Sequence, residues 1–308
     1  MNNFEVVENC FLDNDFGSLF NSPKFFNLHS KSGDVYFDLC KNGRSVASIH
    51  FSALADTGTW RSPARGTYAG LAFDAELQYR ELFCFYEQVE SALRNRGVKR
   101  LEILPAPQAH NMAAFAKQFY LLRGCGFEVV QCDINQSIEV DQRIFAERIG
   151  YGNLKRLRKS RRQGLVVEKL PLSDLPNVYE TLAINRLSKG RCLSMTLADI
   201  QLMLEKFPES IALFGCPDKT QFAAAAFCLH LSKDILYVVY WGDRPEYASN
   251  SLVVSIAEAI YRYSQESGVK ILDAGTSTID REVNFGLLEF KCALDFEESI
   301  KVRMAKEL

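Results

Sequence analysis

The chain has 308 residues, of which 47% are hydrophobic and 24% charged, and its formal net charge is −2. That length suits two hydrophobic cores of roughly 150 residues each, and the composition excludes disordered and fibrous classes. Near-neutral charge excludes a chain drawn as a whole to nucleic acid or anionic lipid, so any such binding must come from a local patch.

From the N-terminus, Met1-Asn2-Asn3-Phe4-Glu5 lacks a basic region followed by an apolar stretch, so no secretory leader and a cytoplasmic location are expected. Residues 35–40 then read as a strand and Lys41-Asn42-Gly43-Arg44 as a hairpin turn, Asn-Gly being a strong signal for one. Residues 45–54 alternate as the partner strand. After the loop Arg61-Ser62-Pro63-Ala64-Arg65-Gly66, residues 75–96 carry a helical stripe through Leu77, Leu82, Phe85, Val89 and Leu93. Gly97 ends that helix, and residues 98–104 return as a strand.

A connecting region follows at 141–170. Asp141 is expected to cap a short helix, Gly150-Tyr151-Gly152 to break the chain, and Asn153 to cap a second helix ending near Gly164, with 165–168 as a strand. A domain boundary close to residue 150 follows, giving domains 1–150 and 151–308. The second of these repeats the first in its order of elements. Strands at 211–215, 221–231 and 234–241 lead to a loop opening at Gly242-Asp243-Arg244-Pro245. A helix follows with its stripe at Leu252, Val253, Ile256, Ile260 and Tyr263, then Gly268, and a returning strand at 269–273. A hairpin, helix and strand used twice predict a duplicated α/β unit with mixed sheets. The longest apolar run, 222–229, is too short for a membrane span. Nine scattered cysteines, with no CxxC or Cys/His ligand spacing, point to reduced core thiols and no metal site.

Three stretches carry a family resemblance. The run Asn153-Leu154-Lys155-Arg156-Leu157-Arg158-Lys159-Ser160-Arg161-Arg162-Gln163-Gly164-Leu165-Val166-Val167-Glu168 resembles the basic helix, glycine and strand that open the second domain of Fem-like GNAT proteins. Asp273-Ala274-Gly275-Thr276-Ser277, followed by Asn284-Phe285-Gly286-Leu287-Leu288-Glu289-Phe290-Lys291, resembles their D-x-G-[TS] loop and G-L-x-x-F-K ending. The segment 61–70 resembles the loop before their first-domain helix. The resemblance implies two tandem GNAT-like domains and transfer of an acyl or aminoacyl group to an amine, such as that of a cell-wall or surface-polysaccharide precursor, in a cleft between the halves. Acyl-CoA, acyl-carrier protein and aminoacyl-tRNA are the donors it suggests. The paired glycines that hold a CoA pyrophosphate at a helix N-terminus are missing from Gly242-Asp243-Arg244-Pro245-Glu246-Tyr247-Ala248-Ser249-Asn250. The long coiled-coil arm of some tRNA-dependent members is missing too.

The resemblance places Lys291 near the reacting acyl group, where its ammonium would stabilise an oxyanion. The alternative is an exposed strand lysine. Asp273, at a strand end where α/β sites gather, is either a general base or a partner for loop amides. Tyr240, with Tyr237, is either a phenolic acid for the leaving group or core. Phe290, Thr276, Ser277 and Asn284 complete the substrate-binding set. The six Lys/Arg of 155–162, Lys155 and Arg158 foremost, suit phosphates of CoA, a nucleotide sugar or tRNA, or form a solvated helix face. Arg61 and Arg65 form a second anion cradle. His29, His50, His110 and His230 fall in unrelated places, so no Ser/His or Cys/His nucleophile is predicted. An aminoacyl-tRNA-dependent peptidyltransferase and a non-catalytic ligand-binding module stand as the other readings.

Overall fold

The structure is a computed structural model that describes residues 4–12, 14, 16–55, 57–219, 221–279 and 282–308; the first three residues of the segment read for a leader lie outside these. In chain order the strands and helices are β1 (Phe4–Glu8), α1 (Pro23–His29), β2 (Val35–Lys41), β3 (Arg44–Ala53), β4 (Thr59–Ser62), β5 (Ala72–Phe73), α2 (Tyr79–Asn95), β6 (Arg100–Ile103), α3 (Met112–Gly124) and β7 (Glu128–Glu139). There follow α4 (Phe145–Arg148), α5 (Tyr151–Arg162), β8 (Glu168–Leu170), α6 (Leu175–Leu187), α7 (Leu197–Lys206), β9 (Ile211–Asp218), β10 (Gln221–Ser232) and β11 (Ile235–Asp243). The chain ends with α8 (Leu252–Glu266), β12 (Ile271–Thr276), β13 (Thr278–Ile279), β14 (Glu282–Val283), α9 (Phe285–Cys292) and β15 (Glu297–Glu307).

Packing divides the chain into two units. One comprises 1–134, 278–282 and 299–308, the other 135–277 and 283–298. The crossing thus falls inside β7, ahead of residue 150, and the C-terminal strand returns to the first unit.

The first unit is built on the β2–β3 hairpin, whose turn residues Asn42 and Gly43 both have positive φ (53° and 80°), the geometry that Asn-Gly supplies at least strain. Its strands follow the order β1-β2-β3-β4-β6-β15-β7, with β4 and β6 parallel and β15 antiparallel to β6. The α2 stripe is buried as expected: Leu82, Phe85, Val89 and Leu93 pack with Phe37, Phe51, Leu101 and Ile103, and with Val302 and Met304 from β15.

The second unit repeats this plan as β8-β9-β10-β11-β12, with the later part of β7 beyond β12. Here β11 and β12 are parallel and β7 is antiparallel to β12. Ala223 to Ala226 on β10 are fully buried, and their small side chains let α6 and α8 approach closely. Leu252, Ile256 and Ile260 of α8 reach the core as the stripe predicts, joined by Val254, Ala257 and Tyr261, while Val253 and Tyr263 are only half-buried.

Three local expectations are corrected. Asp141 does not cap α4, whose N-cap is Ile144; its carboxylate takes the Arg143 amide and pairs with Arg148 (2.8 Å) and Tyr261. Asn153 lies inside α5, whose N-cap is Gly150, and its amide donates to the Ala293 carbonyl at 2.8 Å. The strand placed at 165–168 forms at 168–170, because the turn at Gln163-Gly164 (Gly164 φ 74°) is followed by irregular chain through Val167.

Candidate active site

The chemistry-bearing residues of the second unit gather where β11 and β12 end. Asp273 pairs with Tyr237 across the parallel strands, which puts the two side chains on one face. A strict two-residue alternation would put Tyr240 on the opposite face from Tyr237. The β10–β11 register shifts between Phe227 and Cys228, whose partners are Tyr240 and Val238, leaving Val239 unpaired. This bulge turns Tyr240 back to the side of Tyr237. Arg186 of α6 is influenced by both hydroxyls, with its guanidinium carbon 5.9 Å from the Tyr240 ring centre.

Beyond Asp273 the chain turns through Gly275 at φ 72°. A Cβ there would stand 3.3 Å from the Tyr237 ring and hydroxyl, so both the backbone and the neighbouring ring call for glycine. The turn is fixed from several sides. The Gly275 amide and the Asn135 side-chain amide both donate to Asp273 Oδ1, at 2.7 and 2.9 Å. Ser277 donates to Gln136 Oε1 at 2.5 Å, and Gln136 Nε2 donates to the Leu288 carbonyl at 3.2 Å. Asp273 thus accepts from one loop amide and from an amide side chain of β7.

Lys291 is 1% exposed and stands in the last turn of α9, not on a strand. Asn284 caps that helix by accepting from the Leu287 amide at 3.0 Å. Phe290 is half-buried, its ring 6.4 Å from Trp241 in an edge contact. Lys291 Nζ donates to the Gly275 and Thr276 carbonyls at 2.9 and 3.2 Å. An ammonium has three N–H groups, so among the described residues one remains unassigned. Burial pushes its pKa down to about 8, the negative charge of Asp273 acts upward, and Arg186 pushes it further down. Burial likewise lowers the pKa of Arg186, and among the described residues no carboxylate lies within ion-pair distance of it. Two desolvated cations beside one buried carboxylate leave this region with a net positive charge.

Tyr240 is 6% exposed. Its hydroxyl accepts from the Met195 amide at 3.2 Å and shares a 2.5 Å hydrogen bond with Ser194. The structure thus brings together Lys291, Asp273, Thr276, Ser277 and Tyr240. Sequence reading missed Arg186, Ser194, Asn135 and Gln136, which reach the site from α6, its following loop and β7. An arginine on a helix, or amides in a strand, carry no signal in one sequence. The remaining predicted residues lie elsewhere. Arg61 is on β4 of the first unit, where its Nε and Nη2 both donate to Glu102 Oε2 (2.8 and 2.6 Å), so an internal carboxylate already answers its charge. Arg65 is exposed beside it in sequence, and Lys155 and Arg158 are exposed on α5.

The helix that would receive a CoA pyrophosphate is α8. Its first amide, Leu252, donates to the Asp243 carboxylate, whose pKa is raised by burial while that hydrogen bond and Lys189 act downward. In the first unit α2 is closed similarly: the side chain of Glu81 accepts from the Gln78 amide at 2.8 Å. Both helix N-termini, the natural places for phosphate, carry carboxylates of the chain itself. Among the described residues no group of three His, Cys, Asp or Glu side chains is placed to hold a metal ion, and no helix is long and apolar enough to cross a membrane.

A parallel pair flanked by an antiparallel strand, with a helix crossing between the parallel strands, occurs in both units and defines the fold as that of tandem GNAT proteins. Solved structures of three such proteins share the fold. A crystal structure of FemX matches with a TM-score of 0.75 at 12% identity, covering 96% of this chain and 94% of that one. L-PGS from Bacillus licheniformis matches with a TM-score of 0.57 at 10% identity, over 84% of this chain and 81% of its own. A tandem GNAT protein from the clavulanic acid biosynthesis pathway matches with a TM-score of 0.52 at 11% identity, over 98% of each chain. No protein-family model and no curated protein matches the sequence.

Proposed function

We propose that the protein is an N-acyltransferase that moves an acyl or aminoacyl group onto an amine. The observation that carries this reading is Lys291, a buried ammonium clamped to two carbonyls with one N–H unassigned. The shared fold with FemX, L-PGS and a tandem GNAT protein supports the same class.

In this mechanism the acceptor amine attacks the carbonyl carbon of a thioester or ester donor, and the carbonyl π electrons move onto oxygen. The third N–H of Lys291 meets that oxyanion in a water-poor setting, where such a hydrogen bond is strongest. Collapse expels the thiolate or alkoxide, which takes a proton from the Tyr240 hydroxyl, and the proton released by the attacking nitrogen returns to Tyr240 by way of Ser194. Asp273 is a positioning residue: it holds the Gly275 turn whose carbonyls aim Lys291. Thr276 and Ser277 shape the floor of the site. No residue is covalently modified.

A second reading makes the donor an aminoacyl ester carried on tRNA, and Asp243 favours it. A carboxylate already occupying the α8 N-terminus opposes a CoA pyrophosphate at the same place. A thermal-shift screen with acetyl-CoA, longer acyl-CoAs, acyl-carrier protein, aminoacyl-tRNA and nucleotide-linked amino sugars tests both, since a ligand of the native state raises its stability. A donor and acceptor pair turned over by the wild type at an unchanged rate by Lys291→Ala would remove Lys291 from the mechanism.

A further inference from the structure

The acyl-transfer site uses none of the cations of α5. That helix holds six Lys/Arg between residues 155 and 162 in a chain of net charge −2, and all six are exposed. Its inward side is fixed: Leu157 and Ser160 are buried, and Ser160 Oγ lies 2.8 Å from Ser255 Oγ on α8. The helix is therefore held flat against its unit, with one side offered to solvent.

On that side Tyr151, Lys155, Arg158 and Arg162 recur at helical spacing and, with Arg161, line one open recess. A row from 151 to 162 is about 16 Å long. Arg161 pairs with Glu258 at 2.6 Å; for Lys155 and Arg158 no acidic partner lies within ion-pair distance among the described residues. Like charges this dense destabilise a helix and call for an external anion. The row has an apolar component as well. Tyr151 is 77% exposed and Val166, just past the end of the helix, is 58% exposed. Arg161 also lines the neighbouring recess that contains Val166, so cations and apolar side chains form a continuous surface.

We propose that this face of α5 docks the protein on an anionic lipid surface, with Lys155, Arg158 and Arg162 on the headgroup phosphates and Tyr151 and Val166 entering the interface. Clusters of four to eight Lys/Arg on a helix bind anionic leaflets, each charge contributing about fivefold to the partition coefficient. A single-stranded nucleic acid would instead call for aromatic platforms on which bases stack. This face has one aromatic ring, and its second exposed apolar side chain is aliphatic, suited to acyl chains. The inference stands on α5 alone and is independent of the acyl-transfer reading.

The test is co-sedimentation of the full chain with vesicles of phosphatidylcholine alone and of phosphatidylcholine and phosphatidylglycerol in equal parts, beside retention on bulk tRNA at the same salt. Binding is expected only to the phosphatidylglycerol vesicles and is expected to weaken steeply with salt. The double variant Lys155→Gln/Arg158→Gln should bind roughly 25-fold more weakly, with an unchanged circular dichroism spectrum and melting temperature. Tyr151→Ser should weaken binding while keeping its salt dependence. Absence of vesicle binding at low salt, equal binding by the folded double variant, or retention on tRNA without vesicle binding would overturn the proposal.

Discussion

At the scale of single residues, the proposed chemistry rests on Lys291 and can be tested in two ways. If its third N–H stabilises the oxyanion, Lys291→Ala should lower kcat by roughly a hundredfold or more with the fold intact, a size typical of removing one oxyanion donor. Because its pKa is about 8, activity should fall as pH rises through that value and the ammonium is lost. Asp273→Asn removes the charge that raises this pKa, so the falling limb should move to lower pH; a limb that stays in place would detach it from Lys291. Stability changes in the opposite direction from activity. The ordinary lysine value is 10.5, so between about 8 and 10.5 the unfolded chain binds the proton and the folded chain does not. Stability is therefore reduced below the folded pKa and recovers as pH rises, by up to about 3 kcal/mol. Denaturant unfolding across that range should show the rise in the wild type and a smaller one in Lys291→Met.

At the scale of elements, the β12–α9 connection is rigid because glycine and buried amides define it. Gly275→Ala meets both a positive φ and the Tyr237 ring, and should destabilise the protein by about 1–3 kcal/mol in thermal or denaturant unfolding. Activity should fall further than stability does, because the displaced carbonyls are those that aim Lys291. The bulge at Val239 belongs to this scale too. The unbroken apolar run at 235–241 reads as a strand, but the extra residue that returns Tyr240 to the Tyr237 face comes from pairing with β10. Likewise, Asn153 looked like a cap because Asn is a common capping residue. In the fold the helix begins earlier, at Tyr151 behind the Gly150 cap, and Asn153 serves the Ala293 carbonyl, a partner 140 residues away in the chain.

At the scale of the whole molecule, the last strand matters most. β15 follows the second unit in sequence but pairs with β6 and places Val302 and Met304 in the core of the first unit. Met304→Ala should cost about 2–5 kcal/mol, the range for a buried large-to-small change. Deleting 299–308 should expose the first unit to limited proteolysis ahead of the second; equal resistance would mean that β15 is dispensable. The duplicated order of elements was legible because each hairpin, helix and strand leaves a local pattern of burial. Local pattern does not carry the crossing between units, because β7 contributes to both and β15 to a unit other than the one its place in the chain suggests.

The sequence alone therefore determined what short-range physics can write: the Asn-Gly turn, the apolar stripes of α2 and α8, the two-fold repetition, and a C-terminal motif that singled out Asp273, Phe290 and Lys291. Tertiary structure alone decided that Lys291 is buried on a helix, that Asp273 holds a loop, that Arg186, Ser194, Asn135 and Gln136 join the site, and that Arg61 is paired internally. Periodicity and turn chemistry act over a few residues, whereas desolvation, register shifts and hydrogen bonds between distant strands exist only once the chain has folded.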